Sequence, residues 1–368
     1  MKILHVGKFF PLKGGMEKAI LDIVESFSNN NIRCDLLCVS TDGKPGIYKL
    51  NEYANVYAMS SLFSMSSVRF SMSLILEFKR ICRNYDIVHV HCPNPLANLA
   101  LYFSGYKGRV IVHWHSDILS QKYLLKFYKP LQTWLLNRAD VIIGTSPVYL
   151  EGSPFLKGYE HKFKVVTLRT APVMPNEERV RLIKDKYINK KIIFGVGRLV
   201  PYKGFQYLID AAKYLSDDYV VLIGGSGLLK NKLQKQINDN GLEEKVFLLG
   251  FISEEDIPQY FGACDVFCLS SIWKTEAFGL VQIEAMSCAK PVVATNIKDS
   301  GVSWVNKHGY SGLNARPSDA KELARCIELI FENENTYQRF SQGAFEHYST
   351  FFTTDHLMND YLEIYNSL

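Results

Sequence analysis

The stretch ACDVFCLSSIW, residues 263–273, is followed directly by KTEAFGLVQIEAMSCAKPVVAT, residues 274–295. The pattern predicts a buried strand that runs into a loop, then an apolar helix over 280–289 and a second strand over 290–295. Glu276 then lies in the loop at the carboxyl end of a strand, and Glu284 lies in the first turns of the helix. Most glutamates are solvated, but ligands bind at this edge of open α/β sheets.

The same alternation of short apolar runs and helical stretches occurs twice along the chain. It predicts an α/β protein with two Rossmann-like, doubly wound domains facing a central cleft. The predicted domains are an N-terminal domain over 1–170 and a C-terminal domain over 176–349. The proline-containing segment 169–180 is the predicted linker, and a helix over about 350–368 is expected to pack back on the first domain.

The length of 368 residues suits two domains, and no apolar run approaches the ~20 residues of a membrane span. Eight cysteines are scattered with no CxxC pair, which favours reduced thiols in a cytoplasmic protein over a disulfide framework or a zinc site. Residues 1–175 carry 21 Lys and Arg against 12 Asp and Glu, a net charge of +9, whereas residues 176–368 have a net charge of −4. The first half is therefore expected to favour an anionic partner other than nucleic acid.

Three loops at predicted strand ends are rich in glycine or basic residues. GKFFPLKGGMEK contains Gly14 and Gly15 before a helix, where bare N–H groups suit a diphosphate. GVGRLVPYKG contains Arg198 and Lys203, and IGGSG contains Gly225. Each loop alone is a weak signal, because a Gly-Gly turn is usually only a turn and a surface cation is usually solvated. Together they predict anion-binding elements from both halves of the chain.

Alternating histidines occur in VHVHCP (88–93) and VHWHSD (112–117). Such histidines can bind a metal, but no carboxylate pair lies at a matching spacing. The favoured interpretation is one histidine at the ligand site and the others satisfied inside the domain. No Asp-x-Asp occurs in the chain, so we predict no metal and no other cofactor. Arg198, Lys203 and helix N-termini would then stabilise the diphosphate.

The motifs GGMEK, HSD, GVGRLVPYKG, IGGSG and above all SSIWKTEAFGLVQIEAMSCAKPVVATN resemble the family-4 retaining glycosyltransferases of the GT-B fold. The resemblance covers most of the chain in order and is strongest over 192–313. It implies that Glu276 binds hydroxyls of the donor sugar, that Glu284 binds the ribose and that His115 lies beside the reacting carbon. The implied catalytic residues are His115, Glu276, Arg198 and Lys203. The implied nucleotide-binding residues are Gly14, Gly15, Arg198, Lys203, Gly225, Phe251, Phe278, Gly279, Leu280, Val281 and Glu284.

The resemblance also implies retention by front-face attack, with a phosphate oxygen helping to take the acceptor proton. Two departures stand out. VVTLRTAPV (165–173) replaces a common Asn-Gly-hydrophobic-Asp turn and leaves Arg169 without an assigned role, and Ala289 replaces a common glycine.

Residues 118–138 place Lys122, Lys126 and Lys129 on one side of a helix, with an apolar side opposite. Packing on the helix's own domain explains this pattern, and a basic, aromatic surface for anionic lipid is the alternative. Segment 62–83 is similarly apolar and basic. These segments suit a glycan acceptor linked to a polyprenyl diphosphate, and a peripheral position at the inner face of the cell membrane.

The resemblance thus implies a retaining, metal-independent hexosyltransferase that uses GDP-mannose, a UDP-hexose or a UDP-N-acetylhexosamine. It also implies that the domain over 1–170 binds the acceptor and that the domain over 176–349 binds the nucleotide sugar. The resembling enzymes imply a role in bacterial surface polysaccharide, O-antigen or lipopolysaccharide biosynthesis. Two alternatives stay open at this stage. One is a nucleotide-sugar epimerase on a similar fold, and the other is a nucleotide-sugar-binding subunit without catalytic activity.

Overall fold

A computed structural model describes residues 1–11, 14–65, 68–118 and 122–368 of the chain. The described residues form two compact units. The first unit comprises Met1–Leu168 together with Asp355–Leu368, and the second comprises Arg169–Thr354. The chain therefore leaves the first unit once, builds the whole second unit and returns for its last helix.

The first unit is built on an eight-stranded sheet. The strands of the unit, inside and outside this sheet, are β1 (Lys2–Phe10), β2 (Arg33–Ser40), β3 (Gly46–Lys49), β4 (Asn55–Met59), β5 (Phe63–Met65), β6 (Val68–Phe70), β7 (Ile87–Cys92), β8 (Arg109–Trp114), β9 (Val141–Gly144) and β10 (Phe163–Val165). Its helices are α1 (Gly15–Asn29), α2 (Met72–Ile81), α3 (Pro95–Ser104), α4 (Lys122–Arg138), α5 (Pro147–Glu151) and α14 (Leu357–Asn366). Strands β5 and β6 form a separate two-stranded hairpin.

The strand order of the large sheet is β10-β9-β8-β7-β1-β2-β4-β3, and every pair is parallel except β3 with β4. The order changes direction between β1 and β7, which makes this position the topological switch point of the sheet. The central strands read as continuous apolar runs because helices cover both faces of a parallel sheet. Helix α14 belongs to this cover, since Tyr361, Ile364 and Tyr365 are buried in the core formed with α1 and the sheet.

The second unit has six strands. They are β11 (Lys191–Val196), β12 (Tyr219–Gly224), β13 (Val246–Gly250), β14 (Val266–Leu269), β15 (Val292–Thr295) and β16 (Gly312–Ala315). Its helices are α6 (Glu177–Asp185), α7 (Phe205–Ala211), α8 (Lys230–Asp239), α9 (Ile257–Ala263), α10 (Leu280–Ser287), α11 (Val302–Val305), α12 (Ala320–Ile330) and α13 (Glu334–Phe351). The wholly parallel order β13-β12-β11-β14-β15-β16 places the switch point between β11 and β14.

The predicted α/β class with two Rossmann-like sheets is confirmed. The helix expected over about 350–368 differs in its bounds. Helix α13 continues to Phe351, and α14 begins only at Leu357. The interruption coincides with Thr353 and Thr354, two β-branched residues with low helix propensity. The β3–β4 hairpin was not predicted, because its short strands lack a long apolar run.

Two further observations concern the chain as a whole. All eight cysteines are free, and seven of them are buried. Among the described residues, no helix combines the length and the apolar character that crossing a membrane requires.

Candidate functional site

In the second unit, the residues predicted to bind a nucleotide sugar follow the carboxyl ends of adjacent parallel strands. Arg198 follows β11, Gly225 follows β12, Phe251 follows β13, and the loop 270–279 follows β14. Because these strands are parallel, all four segments lie at one edge of the sheet. The β11 and β14 loops flank the switch point, so the topology alone brings Arg198 and Glu276 to the same edge.

Glycines at this edge allow close contact between neighbouring loops. Gly225 has φ of 136°, and a Cβ added there would lie 1.9 Å from the carbonyl oxygen of Gly197. Gly204 has φ of 67°, and its Cβ would lie 2.1 Å from the carbonyl oxygen of Ser270. Both positions therefore require glycine for conformation and for space. The sequence signal for them was the GVGRLVPYKG and IGGSG motifs.

Glu276 and Lys203 form a direct ion pair in this edge. Lys203 Nζ lies 2.5 Å from Glu276 Oε2, and the side chains are only 11% and 12% exposed. Ser271 Oγ, which is buried, donates to the same carboxylate oxygen at 2.8 Å. No described residue donates a hydrogen bond to Oε1. The carboxylate is thus held through one oxygen, and its other oxygen is available to a ligand.

The backbone around Glu276 is also fixed by hydrogen bonds. Ser300 Oγ donates to the carbonyl oxygen of Glu276 at 2.5 Å, and Thr295 Oγ1 donates to the carbonyl oxygen of Ser271. The amide of Gly301 donates to Ala277 at 2.9 Å. This loop is therefore held at several points before any ligand binds, which reduces the entropy lost on binding.

The loop ends at the N-terminus of α10, where no side chain caps the helix. Gly279 is the N-cap residue with φ of 77°, in the left-handed region that favours glycine. The first N–H groups of a helix have no intrahelical acceptor, so those of Leu280 and Val281 suit an anion. Phe278 is buried beneath the turn, and Glu284 is half-buried one turn into the helix.

The remaining predicted residues of this unit are exposed. Arg198 is exposed, and its Nη2 donates to Tyr202 Oη at 3.1 Å. Phe251 is 78% exposed. Arg169, which had no assigned role, donates from Nη1 to the carbonyl oxygen of Thr353 at 3.1 Å. This bond ties the first residue of the second unit to its penultimate residue.

In the first unit, Gly14 and Gly15 begin α1. Gly14 is its N-cap residue and provides no side-chain hydrogen bond. Leu12 and Lys13 of the same motif lie outside the described residues. Lys8 and Glu17, which the sequence motifs did not single out, interact electrostatically in this unit. Glu17 is buried at 8% exposure, and burial lowers the pKa of Lys8 while Glu17 acts to raise it. Their signals were a lysine in an apolar strand and a glutamate on the apolar face of α1.

His115 follows β8 and is buried at 8% exposure. Burial is the main cause that lowers its pKa well below the usual range, and His113 and Lys8 lower it further. His115 is therefore a neutral imidazole at physiological pH. The nearby Asp117 supports the loop, since its Oδ1 accepts from Trp114 Nε1 at 2.9 Å and from Ser153 Oγ at 2.7 Å.

The expectation that the other histidines are satisfied inside the domain is only half right. His89, His91 and His113 are fully buried, and His5 of β1 joins them. His91 makes hydrogen bonds through both ring nitrogens, whereas His5, His89 and His113 each make one through Nδ1, and their Nε2 atoms have no partner among the described residues. His5 was missed because its strand contains one histidine and no alternation.

Comparison with known proteins identifies relatives over the whole chain. Residues 176–347 match the family model of glycosyl transferases group 1, and residues 13–151 match that of glycosyltransferase family 4. The chain is 31% identical to the O-antigen chain mannosyltransferase C of Escherichia coli, over 100% of this chain and 99% of that protein. It is 29% identical to the D-rhamnosyltransferase WbpZ of Pseudomonas aeruginosa, over 96% and 92% of the two chains.

A crystal structure of the Anabaena protein HepE in complex with UDP has the same fold. The TM-score is 0.81 at 23% sequence identity, and the similarity covers 100% of both chains.

Proposed function

Because the chain belongs to the family-4 glycosyltransferases of the GT-B fold, we propose that it transfers a hexose from a nucleotide-diphosphate sugar to a glycan, with retention of configuration. The donor is GDP-mannose or a UDP-hexose or UDP-N-acetylhexosamine. The observation that carries the proposal is the Lys203–Glu276–Ser271 arrangement beside the uncapped N-terminus of α10. The epimerase alternative is not favoured, because both relatives named above are transferases.

In this proposal, the donor lies along the carboxyl edge of the second sheet. Glu276 Oε1 accepts hydrogen bonds from hydroxyls of the sugar, while Lys203 and Ser271 hold Oε2. The N–H groups of Leu280 and Val281 meet the diphosphate, and Glu284 binds the ribose. Each role matches the chemistry of its group, since a carboxylate only accepts hydrogen bonds and a helix N-terminus favours anions.

Catalysis then depends on stabilising the negative charge that develops on the leaving nucleoside diphosphate. Glycosyl transfer places positive charge on the anomeric carbon and negative charge on the leaving nucleoside diphosphate. Arg198 and the free N–H donors of Lys203 stabilise that negative charge, because an ammonium group has three donors and Glu276 occupies one. This arrangement needs no divalent cation. A phosphate oxygen takes the acceptor proton during front-face attack, which gives retention without a carboxylate nucleophile.

In the first unit, the proposed roles fall on His115, Gly14 and Gly15. The neutral imidazole of His115 contacts a sugar of a bound substrate, and the N-terminus of α1 binds an anionic group of a substrate.

The test is thermal stabilisation by a panel of nucleoside diphosphates and nucleotide sugars, with EDTA present. A ligand at 100 times its Kd adds about 2.7 kcal/mol to the free energy of unfolding, so the cognate base should raise Tm by a few degrees. Glu284→Ala should abolish this shift, whereas the exposed Glu243→Ala should keep it. Stabilisation that disappears with EDTA would refute metal independence, and no stabilisation by any member would refute the donor site.

The proposed acceptor is a glycan on a polyprenyl diphosphate, and the first unit presents a surface that suits a membrane. Helices α2, α3 and α4 contact one another in sequence. They expose large apolar side chains, with Leu76 62%, Phe103 59% and Phe127 84% exposed. Lys126 and Lys129 are exposed beside Phe127.

Phe127 was expected on the apolar packing side of α4, so its exposure corrects that expectation. The side chains of Lys122 and Leu124 lie outside the described ones.

Exposed aromatic residues with adjacent lysines favour binding to anionic lipid, through both apolar burial and charge. We expect the protein to sediment with vesicles that contain anionic lipid at low salt and to be released at high salt. Phe127→Ser should weaken sedimentation without changing stabilisation by the donor, and Phe345→Ser, an exposed phenylalanine of the second unit, is the matched control. Equal sedimentation of the two variants would exclude this surface.

A further inference from the structure

Five buried histidines lie on one face of the sheet in the first unit. The register pairs His5 with His89 and His91 with His113, and His115 is two residues beyond His113. Four of them are 0% exposed, whereas His115 at the carboxyl end of β8 is 8% exposed. The cluster therefore runs from the sealed interior of the unit to the edge where His115 is proposed to contact a ligand.

Three of these histidines form a hydrogen-bonded chain. His5 Nδ1 lies 2.9 Å from His91 Nε2, and His91 Nδ1 lies 2.9 Å from His115 Nε2. The far end, His5 Nε2, is buried and has no hydrogen-bond partner among the described residues. His89 and His113 lie outside the chain and face the hydroxyls of Tyr365 and Tyr361.

The orientation of the rings argues against a metal centre. Two sets of three histidines have ring nitrogens within 4.8 Å of one another. The rings are stacked, however, with an interplanar angle of 5° for His89 and His91 and of 14° for His113 and His115. Imidazole lone pairs lie in the plane of the ring, so stacked rings direct them side by side. A tetrahedral ion requires lone pairs that converge on one point.

The hydrogen-bonded chain of His5, His91 and His115 is uncharged, because burial lowers the pKa of all three histidines. A neutral imidazole has one N–H donor and one acceptor nitrogen. Each link therefore couples the tautomers of its two members, and only two arrangements are consistent. In one, His5, His91 and His115 all carry the proton on Nδ1. In the other, all three carry it on Nε2.

The sealed end of the chain distinguishes the two arrangements. With every proton on Nε2, His5 would bury an N–H donor that no described group accepts. With every proton on Nδ1, the same position is an acceptor lone pair, and buried acceptors without a partner are the more common case. We propose that His5 and His91 are positioning residues that hold His115 as the neutral Nδ1–H tautomer.

This inference rests on the proposed function and deepens it. His115 would then present an N–H donor, and not an acceptor or an imidazolium, to an oxygen of a bound substrate. The hydrogen bond on one imidazole nitrogen determines what the other nitrogen offers, and in this chain that determinant is His91.

The test is ¹⁵N NMR of protein labelled at histidine, with the ring signals assigned by single substitutions among the nine histidines. In the wild type, His115 should show a protonated Nδ1 and an unprotonated Nε2 at pH 7. In His91→Leu, both nitrogens should move toward averaged values as the two tautomers interconvert. His89→Leu is the matched control, because His89 is equally buried on the same strand but lies outside the chain, and it should leave His115 unchanged.

Transfer assays should follow the same pattern. We expect kcat of His91→Leu to fall about tenfold, as for other partners that orient a functional histidine, with the KM for the donor changed less. A protonated Nε2 on His115 in the wild type, or equal His115 signals in the two variants, would overturn the inference while leaving donor binding intact. Stoichiometric metal in the purified protein, with loss of these signals, would replace it with a metal site. If His115 keeps the Nδ1–H tautomer but the protein binds no donor, the proposed function is overturned and the inference about the tautomer stands.

Discussion

The two units place polar groups at the carboxyl edge of a parallel sheet in opposite ways. The second unit uses charges on loops, where Lys203, Glu276 and the hydroxyl of Ser271 hold one another. The first unit uses uncharged imidazoles on the strands themselves, with four of five fully buried. Charges on loops remain partly solvated and bind ions strongly, whereas buried groups must be neutral. The contrast supports the proposals that the edge of the second unit binds charged groups and that the edge of the first unit presents a neutral N–H donor.

The strongest test of this contrast between the two units is their stability at low pH. Burial lowers the pKa of His5 and His113 to about 3, and it lowers the pKa of His89, His91 and His115 well below the usual range. The unfolded chain binds these protons near pH 6.5, so below that pH the unfolded state binds more protons and stability falls. By pH 5.5 each histidine whose folded pKa lies well below 6.5 contributes a loss of roughly 1 kcal/mol, so the five together lower the free energy of unfolding by several kcal/mol.

We therefore expect the first unit to unfold before the second as the pH is lowered from 6.5. Fluorescence distinguishes them, since Trp114 and Trp134 belong to the first unit and Trp273 and Trp304 to the second. Variants that retain one tryptophan in each unit should show the Trp114 transition at the higher pH, and His89→Leu should shift it toward lower pH. Simultaneous loss of both units, or a Trp114 signal that is constant to pH 4.5, would contradict the expectation.

The next largest effect concerns activity in the second unit. Glu276→Gln keeps the shape of the side chain and an oxygen for Ser271, but it removes the charge that pairs with Lys203. If the carboxylate recognises the donor in the transition state, kcat should fall by about 10²- to 10³-fold. Initial rates of glycan transfer measure this loss. Glu243→Gln, an exposed glutamate, should retain full activity, and a Glu276→Gln variant within twofold of the wild type would remove Glu276 from the proposed site.

The edges of the two sheets also differ in how much of each can be predicted from the sequence. Glycine has a local conformational signature, so the loops with Gly204, Gly225 and Gly279 and the strand ends that precede them were recognisable from the motifs. The Lys203–Glu276 pair was not predicted, because the residues are 73 positions apart and only the adjacency of β11 and β14 brings them together.

The histidine cluster depends even more on strand order. Alternation revealed the two histidines of β7, His113 of β8 and His115 just beyond β8, but His5 joins them only because β1 lies beside β7. Hydrogen bonds between ring nitrogens then depend on register, which no periodicity in a single strand encodes. Residues on one strand were therefore predictable, whereas contacts between strands were not.

The smallest expected effect concerns the turn after α10. Here an alanine, and not a glycine, adopts a left-handed backbone conformation. Ala289 has φ of 56°. The amide of Lys290 donates to Ala285 at 3.1 Å and that of Ala289 donates to Met286 at 2.9 Å, which is the Schellman pattern that favours glycine at this position. Ala289→Gly should raise the free energy of unfolding by about 1 kcal/mol, because it relieves left-handed strain.

Denaturation of the second unit, followed through Trp304, measures this change. Ala285→Gly is the matched control, since it makes the same substitution inside α10 at a residue that is fully buried. It should lower stability by about 1 kcal/mol or more, because glycine disfavours a helix interior. If both substitutions destabilise the unit, the turn does not store strain at Ala289, and the alanine is as well accommodated there as the glycine that the motif commonly carries.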